Sequence, residues 1–233
     1  MLDEKVVIIV PAHNEGRTLA ANVRKLKRVL GGVFSDFGII ISEDGSTDST
    51  ADIAKSLESH NVRALHQEKR LGKGAAIKAA IRHAQANIVI FMDADLASHP
   101  KHTEELVRAL DEGASIVVGS RYHERSRVRR AIMRDAASRT FNWLVRALLG
   151  SRIKDHQCGF KAFRKDMVLP IIEEIEDREW FWDTELLVRA QRKGLKVAEI
   201  PIEWEEAPDS RFRLLEDTCH MAASLVSFKI RNG

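Results

Sequence analysis

The chain has few of the residues that staple or stiffen small folds. Of its 233 residues, two are cysteine, five proline and one tyrosine, and aromatic residues make up 6%. Cys158 and Cys219 form no CxxC pair and the histidines are scattered. Neither a zinc site nor a disulfide framework is expected, and a reducing cytoplasm is the natural compartment. No apolar run approaches the ~20 residues that span a bilayer, so no transmembrane segment is expected. The stretch from Met1 to Val6 lacks the basic region, apolar core and cleavage site of a signal peptide. A net charge of +3 gives no global case for nucleic acid, which leaves the placement of the basic residues as the informative feature.

What remains is the make-up of a globular domain, 44% hydrophobic and 30% charged. Val6–Val10 is a continuous β-branched run stopped by Pro11, which suits a strand buried on both faces. Leu19, Val23, Leu26 and Leu30 then recur at helical spacing over Thr18–Leu30, closed by Gly31 and Gly32. Strands follow at Phe37–Ser42, Val62–His66, Ile88–Met92 and Ser115–Gly119, separated by helices through Leu57, over Gly74–Gln85 and over Lys101–Leu110. This alternation predicts an α/β fold of βαβ units with right-handed crossovers. Ligands of such sheets sit beyond the carboxyl ends of the strands, where Pro11–Glu15, Asp44–Asp48 and Asp93–Asp95 all fall.

The second half is less regular. Arg121–Arg130 reads as a charged loop and Ala131–Leu149 as a long helix. A short strand is expected at Gln157–Phe163, helices at Met167–Ile175 and Thr184–Arg192, and an edge strand at Lys196–Trp204 broken by Pro201. Leu214–Ile230 is amphipathic through Leu214, Leu215, Cys219, Met221, Ala222, Leu225, Val226 and Phe228, a face suited equally to a membrane interface or to packing. The simplest division is one domain over 1–212 and an amphipathic helix over 213–233.

Asp93-Ala94-Asp95 directly follows an apolar strand. Alternate aspartates at a strand end can hold one hard cation, Mg2+ or Mn2+, which takes oxygen ligands and bridges diphosphate oxygens. The bland alternative is a pair of solvated aspartates capping the next helix. Gly45 permits a tight turn after Asp44, whose carboxylate suits a base ring N–H or a ribose hydroxyl; Ser46 and Asp48 read as helix caps. Seven arginines (Arg121, Arg125, Arg127, Arg129, Arg130, Arg134 and Arg139) crowd one stretch against Glu124 and Asp135 alone. Arginine forks suit phosphate, and Arg134 and Ser138 at i, i+4 share a helix face. No aromatic stacking surface accompanies them, so nucleic acid is not the expected partner. The cationic stretch also favours peripheral association with an anionic membrane surface.

The order and spacing of these segments resemble the family-2 glycosyltransferases of GT-A fold, over nearly the whole chain. The resemblance implies a mixed, mainly parallel Rossmann-like sheet flanked by helices. It places Pro11, Ala12, Glu15, Asp44, Lys73, Asp93, Ala94 and Asp95 on a nucleotide-diphosphate sugar, with Asp93 and Asp95 as metal ligands. Lys73 lies in Arg70-Leu71-Gly72-Lys73-Gly74, which is not a P-loop. Val118–Arg121, Arg134, Ser138, Asp155–Lys161 and Trp182–Glu185 look like the polyprenyl-phosphate hexose synthases, the dolichyl-phosphate mannose and glucose synthases among them. Gln157-Cys158-Gly159-Phe160-Lys161 leans toward the glucose branch. This likeness implies inverting transfer of a hexose from UDP-glucose or GDP-mannose to a dolichyl or polyprenyl phosphate held by Arg121, Arg134 and Ser138, with these and Asp95 as the catalytic set. The expected place is the cytoplasmic membrane surface.

Two positions depart from the family pattern: Ala97 stands where a third, glutamine ligand is common, and His13 where tyrosine is common. His99, water or substrate could complete the metal's coordination. Trp180, Phe181 and Trp182 read as packing residues, Asp183 as a sugar contact, and His102, His123 and His220 as surface residues. A same-fold transferase with a soluble acceptor and a non-catalytic nucleotide-sugar binding module remain as alternatives.

Overall fold

A computed structural model describes residues 4–206 and 214–232, the last from 214 to 219 by backbone alone. In chain order the strands are β1 (Val6–Ala12), β2 (Phe37–Asp44), β3 (Val62–Gln67), β4 (Ile88–Met92), β5 (Ile116–Ser120), β6 (Arg127–Arg129), β7 (Phe160–Arg164), β8 (Val197–Pro201) and β9 (Glu203–Glu205). The helices are α1 (Leu19–Gly31), α2 (Thr50–Ser56), α3 (Lys73–His83), α4 (Thr103–Asp111), α5 (Ile132–Leu149), α6 (Lys165–Glu174), α7 (Trp182–Arg192) and α8 (Leu214–Asn232).

Among the described residues, seven strands form one sheet in the order β3-β2-β1-β4-β7-β5-β8. The apolar run expected to be central is central: Val6, Ile8 and Ile9 are fully buried between β2 and β4. Each such side chain contributes about 1.5–3 kcal/mol by leaving water. All pairings in this sheet are parallel except those of β7, which runs antiparallel between β4 and β5. This is the mixed, mainly parallel sheet the sequence predicts. β8 lies at the sheet edge, where Pro201 costs no ladder bond.

The stretch expected as a loop over Arg121–Arg130 contains a strand instead. β6 pairs in parallel with β9, which continues the chain beyond Pro201 into a second, two-stranded sheet. Its cross-strand partners carry opposite charges, with Arg127 4.0 Å from Glu203 and Arg129 3.5 Å from Glu205. Such pairs support a ladder that carries no apolar run. His102 also corrects an expectation: it is buried, not on the surface. Its Nε2 accepts from the Glu203 backbone N–H at 3.0 Å and its Nδ1 meets Glu105 at 2.9 Å.

A second, smaller core joins α5, α7 and α8 through Phe141, Val145, Phe181, Val188, Met221, Leu225 and Phe228. Met221, Leu225 and Phe228 of the closing helix are therefore spent on packing, while Val226 and Ile230 stay exposed; Leu214, Leu215 and Cys219 lie outside the described side chains. No helix among the described residues is long and apolar enough to cross a membrane.

α5 is fastened to the loop before β7 by a buried histidine. His156 shares the Asn142 Oδ1 acceptor through its Nδ1 (2.7 Å) and its backbone N–H (2.8 Å), and its Nε2 meets the Ser151 hydroxyl at 2.7 Å. Burial lowers its pKa to about 3, so the folded ring is neutral: Nδ1 donates to Asn142, and Nε2 shares the Ser151 hydroxyl with Gln191 Oε1, 2.7 Å away. The unfolded chain takes up this proton near pH 6.5, the folded one not until about 3. The contribution of His156 is therefore complete above pH 6.5 and declines as the pH falls toward 3. We expect the stability difference between wild type and His156→Gln to shrink between pH 7 and pH 4, measured by urea unfolding. A difference constant with pH would refute the assignment.

Candidate active site

The strands deliver three polar segments to one rim. The chain turns from β3 back across to β4 on the other side of β1, so the sheet's switch point lies between β1 and β4. A cleft of roughly 1210 Å³ opens there, at the carboxyl ends of these strands. Pro11, Ala12, Glu15, Asp44, Lys73, Asp93, Ala94, Asp95, Arg121, Arg134 and Ser138 all line it. Every site residue expected from the sequence is thus brought to one cavity.

The donor end is built from loops tied to each other. Asn14, in the left-handed region that asparagine tolerates, accepts from the Thr47 N–H at 2.8 Å, and its own N–H donates to Ser46 Oγ at 2.9 Å. Asp48 accepts from Gly16 N and Thr50 N beside the start of α2, whereas Ser46, expected as a cap, receives the Asn14 N–H instead and the cap position is Ser49. Asp44 has a task that the sequence did not reveal. Its two oxygens accept the backbone N–H groups of Leu71 and Gly72 at 2.6 and 3.0 Å. The carboxylate lines the cleft while clamping the loop that precedes Lys73. Gly72, at φ +99°, has room only for hydrogen, because a Cβ there would lie 2.4 Å from the Arg178 carbonyl oxygen.

Lys73 Nζ sits 2.7 Å from Asp93 Oδ1 and 4.5 Å from the ring centroid of Trp180. Burial opposes its charge, but Asp93, with Asp183 and Asp95, outweighs burial and raises its pKa. Trp180 lines the cleft and also packs against the smaller core, and Phe181 and Trp182 are core residues, so all three pack as expected. Asp183 also lines the cleft, with Lys161 Nζ 2.6 Å away.

Asp95 Oδ1 accepts the Ala97 N–H at 3.0 Å. Burial, and then the neighbouring Asp93, push its carboxyl up to about 6. Two neighbouring carboxylates with Lys73 paired to the first fit a divalent cation, which would be held by Asp93 and Asp95. His99 is engaged elsewhere, its Nδ1 accepting from Lys101 N at 3.1 Å. Among the described residues no cluster of three His, Cys, Asp or Glu side chains is present, so the remaining ligands would be donor phosphate oxygens and water.

The acceptor end differs in detail from expectation. The Arg121 fork is closed on Asp155, its Nε at 2.8 Å from Oδ2 and its Nη2 at 2.7 Å from Oδ1, and both residues are buried. The fork expected to grip phosphate is therefore already occupied, leaving only its outer N–H groups. Arg134 and Ser138 do share the cleft face of α5, where Arg134 pairs with Glu206 and Ser138 donates to Gln157 at 3.2 Å. Arg130 and Glu206 also line this end and were not singled out from sequence, because nothing distinguishes Arg130 within its arginine-rich stretch.

Residues 7–172 match the profile described as Glycosyl transferase family 2. The chain belongs to glycosyl transferase family 2. This transferase is 38% identical over 227 residues to Glycosyltransferase AglD of Haloferax volcanii, covering 95% of this chain and 36% of AglD. It is 32% identical over 236 residues to Dolichyl-phosphate beta-glucosyltransferase ALG5C of Trichomonas vaginalis, covering 95% and 70% of the two chains. The transferase thus spans little more than a third of AglD but most of the second relative. In fold it resembles glucosyl-3-phosphoglycerate synthase from Mycobacterium tuberculosis, crystallised with Mn2+, UDP-glucose and phosphoglyceric acid: TM-score 0.73, 21% identity, 97% and 80% coverage.

The donor and acceptor halves meet at Gly159, whose carbonyl accepts the Asp93 N–H at 3.0 Å. A Cβ on Gly159 would lie 1.8 Å from Asp93 Oδ2. Gly159→Ala is expected to displace the Asp93 carboxylate and reduce metal-dependent turnover by about 100-fold, as for loss of one positioned charge, while circular dichroism still reports a folded chain. Unchanged turnover would mean that the Asp93 position is not used.

Proposed function

We propose that this transferase moves glucose from UDP-glucose to a dolichyl or polyprenyl phosphate, with mannose from GDP-mannose as the second donor to test. The observation that carries the reading is the polarity of a single cleft. Its donor end presents Asp93, Asp95 and Lys73, and its acceptor end Arg121, Arg130, Arg134 and Ser138. The names of the dolichyl-phosphate beta-glucosyltransferase relatives support glucose and a lipid phosphate; this chain covers 75% of the yeast enzyme at 29% identity.

In this reading the pinned loops of Asn14, Asp44 and Gly72 present a fixed surface to the nucleoside. Lys73 lies beside the diphosphate, and Asp183, held by Lys161, accepts hydroxyls of the sugar. Bound at Asp93 and Asp95, Mg2+ or Mn2+ would supply Lewis-acid neutralisation of the departing diphosphate. The arginines and Ser138 aim a phosphate oxygen at the anomeric carbon, and displacement inverts that centre. A phosphate is ionised at neutral pH, so the transferase needs no general base, and positioning and electrostatics account for the rate. The test is label transfer from UDP-glucose and GDP-mannose to a short polyprenyl phosphate, with and without Mn2+ or Mg2+. Metal-dependent label in the lipid phase is expected, and Asp95→Ala should abolish it; tight donor binding with no lipid product would defeat the reading.

A lipid acceptor requires the cleft to reach a membrane, and the outer face of α5 supports peripheral association. Ile132, Met133 and Trp143 of this helix are exposed by 88%, 74% and 59%, and Trp143 shares its surface with the exposed cations Arg139, Arg146 and Lys154. This mixture of apolar and cationic side chains suits an anionic interface. Replacing Ile132 and Met133 together by Glu is expected to cut co-sedimentation with anionic vesicles several-fold. Transfer to a detergent-dissolved acceptor should stay within about twofold of wild type. Equal pelleting of variant and wild type would remove this face from the membrane account.

A further inference from the structure

Arg130 stands in the cleft with no carboxylate paired to it among the described residues. Arg130 lines the acceptor end with its guanidinium 5.5 Å from the ring centroid of Trp204. Its Nε is buried and has no hydrogen-bond partner among the described residues, and its Nη1 contact to the Tyr122 hydroxyl is long, at 3.5 Å. No carboxylate pairs with it among the described residues, in contrast to Arg121 on Asp155 and Arg134 on Glu206. Burial, and then repulsion from Arg121, lower its pKa, the condition of a guanidinium placed beside another without a counter-ion.

Glu206 stands next to this gap. One of its oxygens takes Arg134 Nη1 and the other accepts the Ala131 N–H at 2.9 Å, at the start of α5. A carboxylate bridging one arginine Nη and a helix-start amide has the donors that an anionic phosphate monoester would use. Among the described residues, two carboxylates pair with these three arginines: Asp155 with Arg121 and Glu206 with Arg134. Asp155 is fully buried beneath Arg121, whereas Glu206 keeps 19% of its side chain exposed. Of the two carboxylates, only Glu206 can be displaced by an incoming anion without unpacking the core.

We propose that Arg130 and Arg134 together form the seat of the acceptor's phosphate monoester, and that Glu206 occupies part of that seat until the phosphate replaces it. This rests on the reading of the cleft as a phosphate-accepting transferase site. Glu206 then acts as a selectivity device. An alcohol acceptor carries no charge with which to displace it, and a dianionic phosphate takes over both its arginine and its amide. Arg121, locked on Asp155 and stacked 5.6 Å from Trp204, positions that ring beneath Arg130.

The two halves of the seat predict opposite effects. Calorimetry of the full chain would measure binding of inorganic phosphate, glycerol 3-phosphate and farnesyl phosphate, with UDP-glucose as the donor control. Arg130→Ala is expected to weaken all three phosphates about tenfold or more and UDP-glucose less than twofold. Glu206→Gln is expected to tighten the phosphates several-fold and lower the acceptor KM without changing the donor KM. If Arg130→Ala fails to fold, Arg130→Lys, which keeps the charge and loses the fork, should still weaken the phosphates. Phosphate affinities unmoved by the Arg130 variants, or weakened in parallel with UDP-glucose, would overturn the seat, as would a Glu206→Gln variant that binds phosphate no better. Farnesyl phosphate bound far more tightly than glycerol 3-phosphate would assign the seat to a lipid acceptor, and equal affinities to phosphate alone. If wild type makes no lipid product yet the variants move phosphate binding as stated, the seat stands and the lipid reading fails.

Discussion

The working rim depends on one strand that runs against the rest. β7 enters the sheet antiparallel between β4 and β5, with Met92 opposite Phe160. In a parallel insertion the residues before β7 would emerge at the far side of the sheet. Reversed, the segment 155–159 arrives at the carboxyl ends of the neighbouring strands, where every other functional segment ends. From there Asp155 receives Arg121, Gln157 receives Ser138, the Gly159 carbonyl holds Asp93 in place, and Lys161 reaches Asp183. The donor and acceptor halves are thus joined through the backbone of one short segment.

The electrostatics follow from that junction. A fully buried charge needs a counter-ion or hydrogen bonds, since an isolated one costs several kcal/mol. Burial would raise the Asp155 pKa, but Arg121 outweighs it and holds the carboxyl below the usual range. Asp183 goes the other way, raised by burial that Lys161 only partly offsets. Cys158 is pushed up to about 12 by burial and is therefore an inert thiol filling space behind the rim. The cleft is acidic at one end and cationic at the other because its deep pairs are neutralised and its surplus charges face the opening.

The parts legible in the sequence are those fixed by local patterning. Val6–Val10 and Ile88–Met92 read as buried parallel strands because both their faces are covered, and the aspartates after them read as a site because strand ends form the rim. Other features depend on contacts between distant segments. The direction of β7 leaves no trace in Gln157–Phe163, since either orientation buries the same side chains. β6 and β9 contain Arg127, Arg129, Glu203 and Glu205, which look like a solvated loop until the opposite charges are set side by side. Arg121 and Arg134 were recognisable by family resemblance, but whether a fork is open or already closed on a carboxylate is a fact of three dimensions. The burial of His102 was hidden for the same reason: its partner, the Glu203 N–H, lies about a hundred residues away.

The clamp of Asp44 on Leu71 and Gly72 bears on how the donor binds. A loop that closes over a nucleotide only after it arrives must lose backbone freedom at that moment, about 1–2 kcal/mol per residue. Here the folded chain has already fixed the stretch ahead of Lys73, and Gly72 is held where no side chain could follow. On the proposed reading that ordering cost is met during folding rather than on donor binding, and a nucleoside meets a template already set. A loop fixed in this way adapts poorly, so on that reading the clamp that suits one nucleotide leaves little freedom to accommodate another.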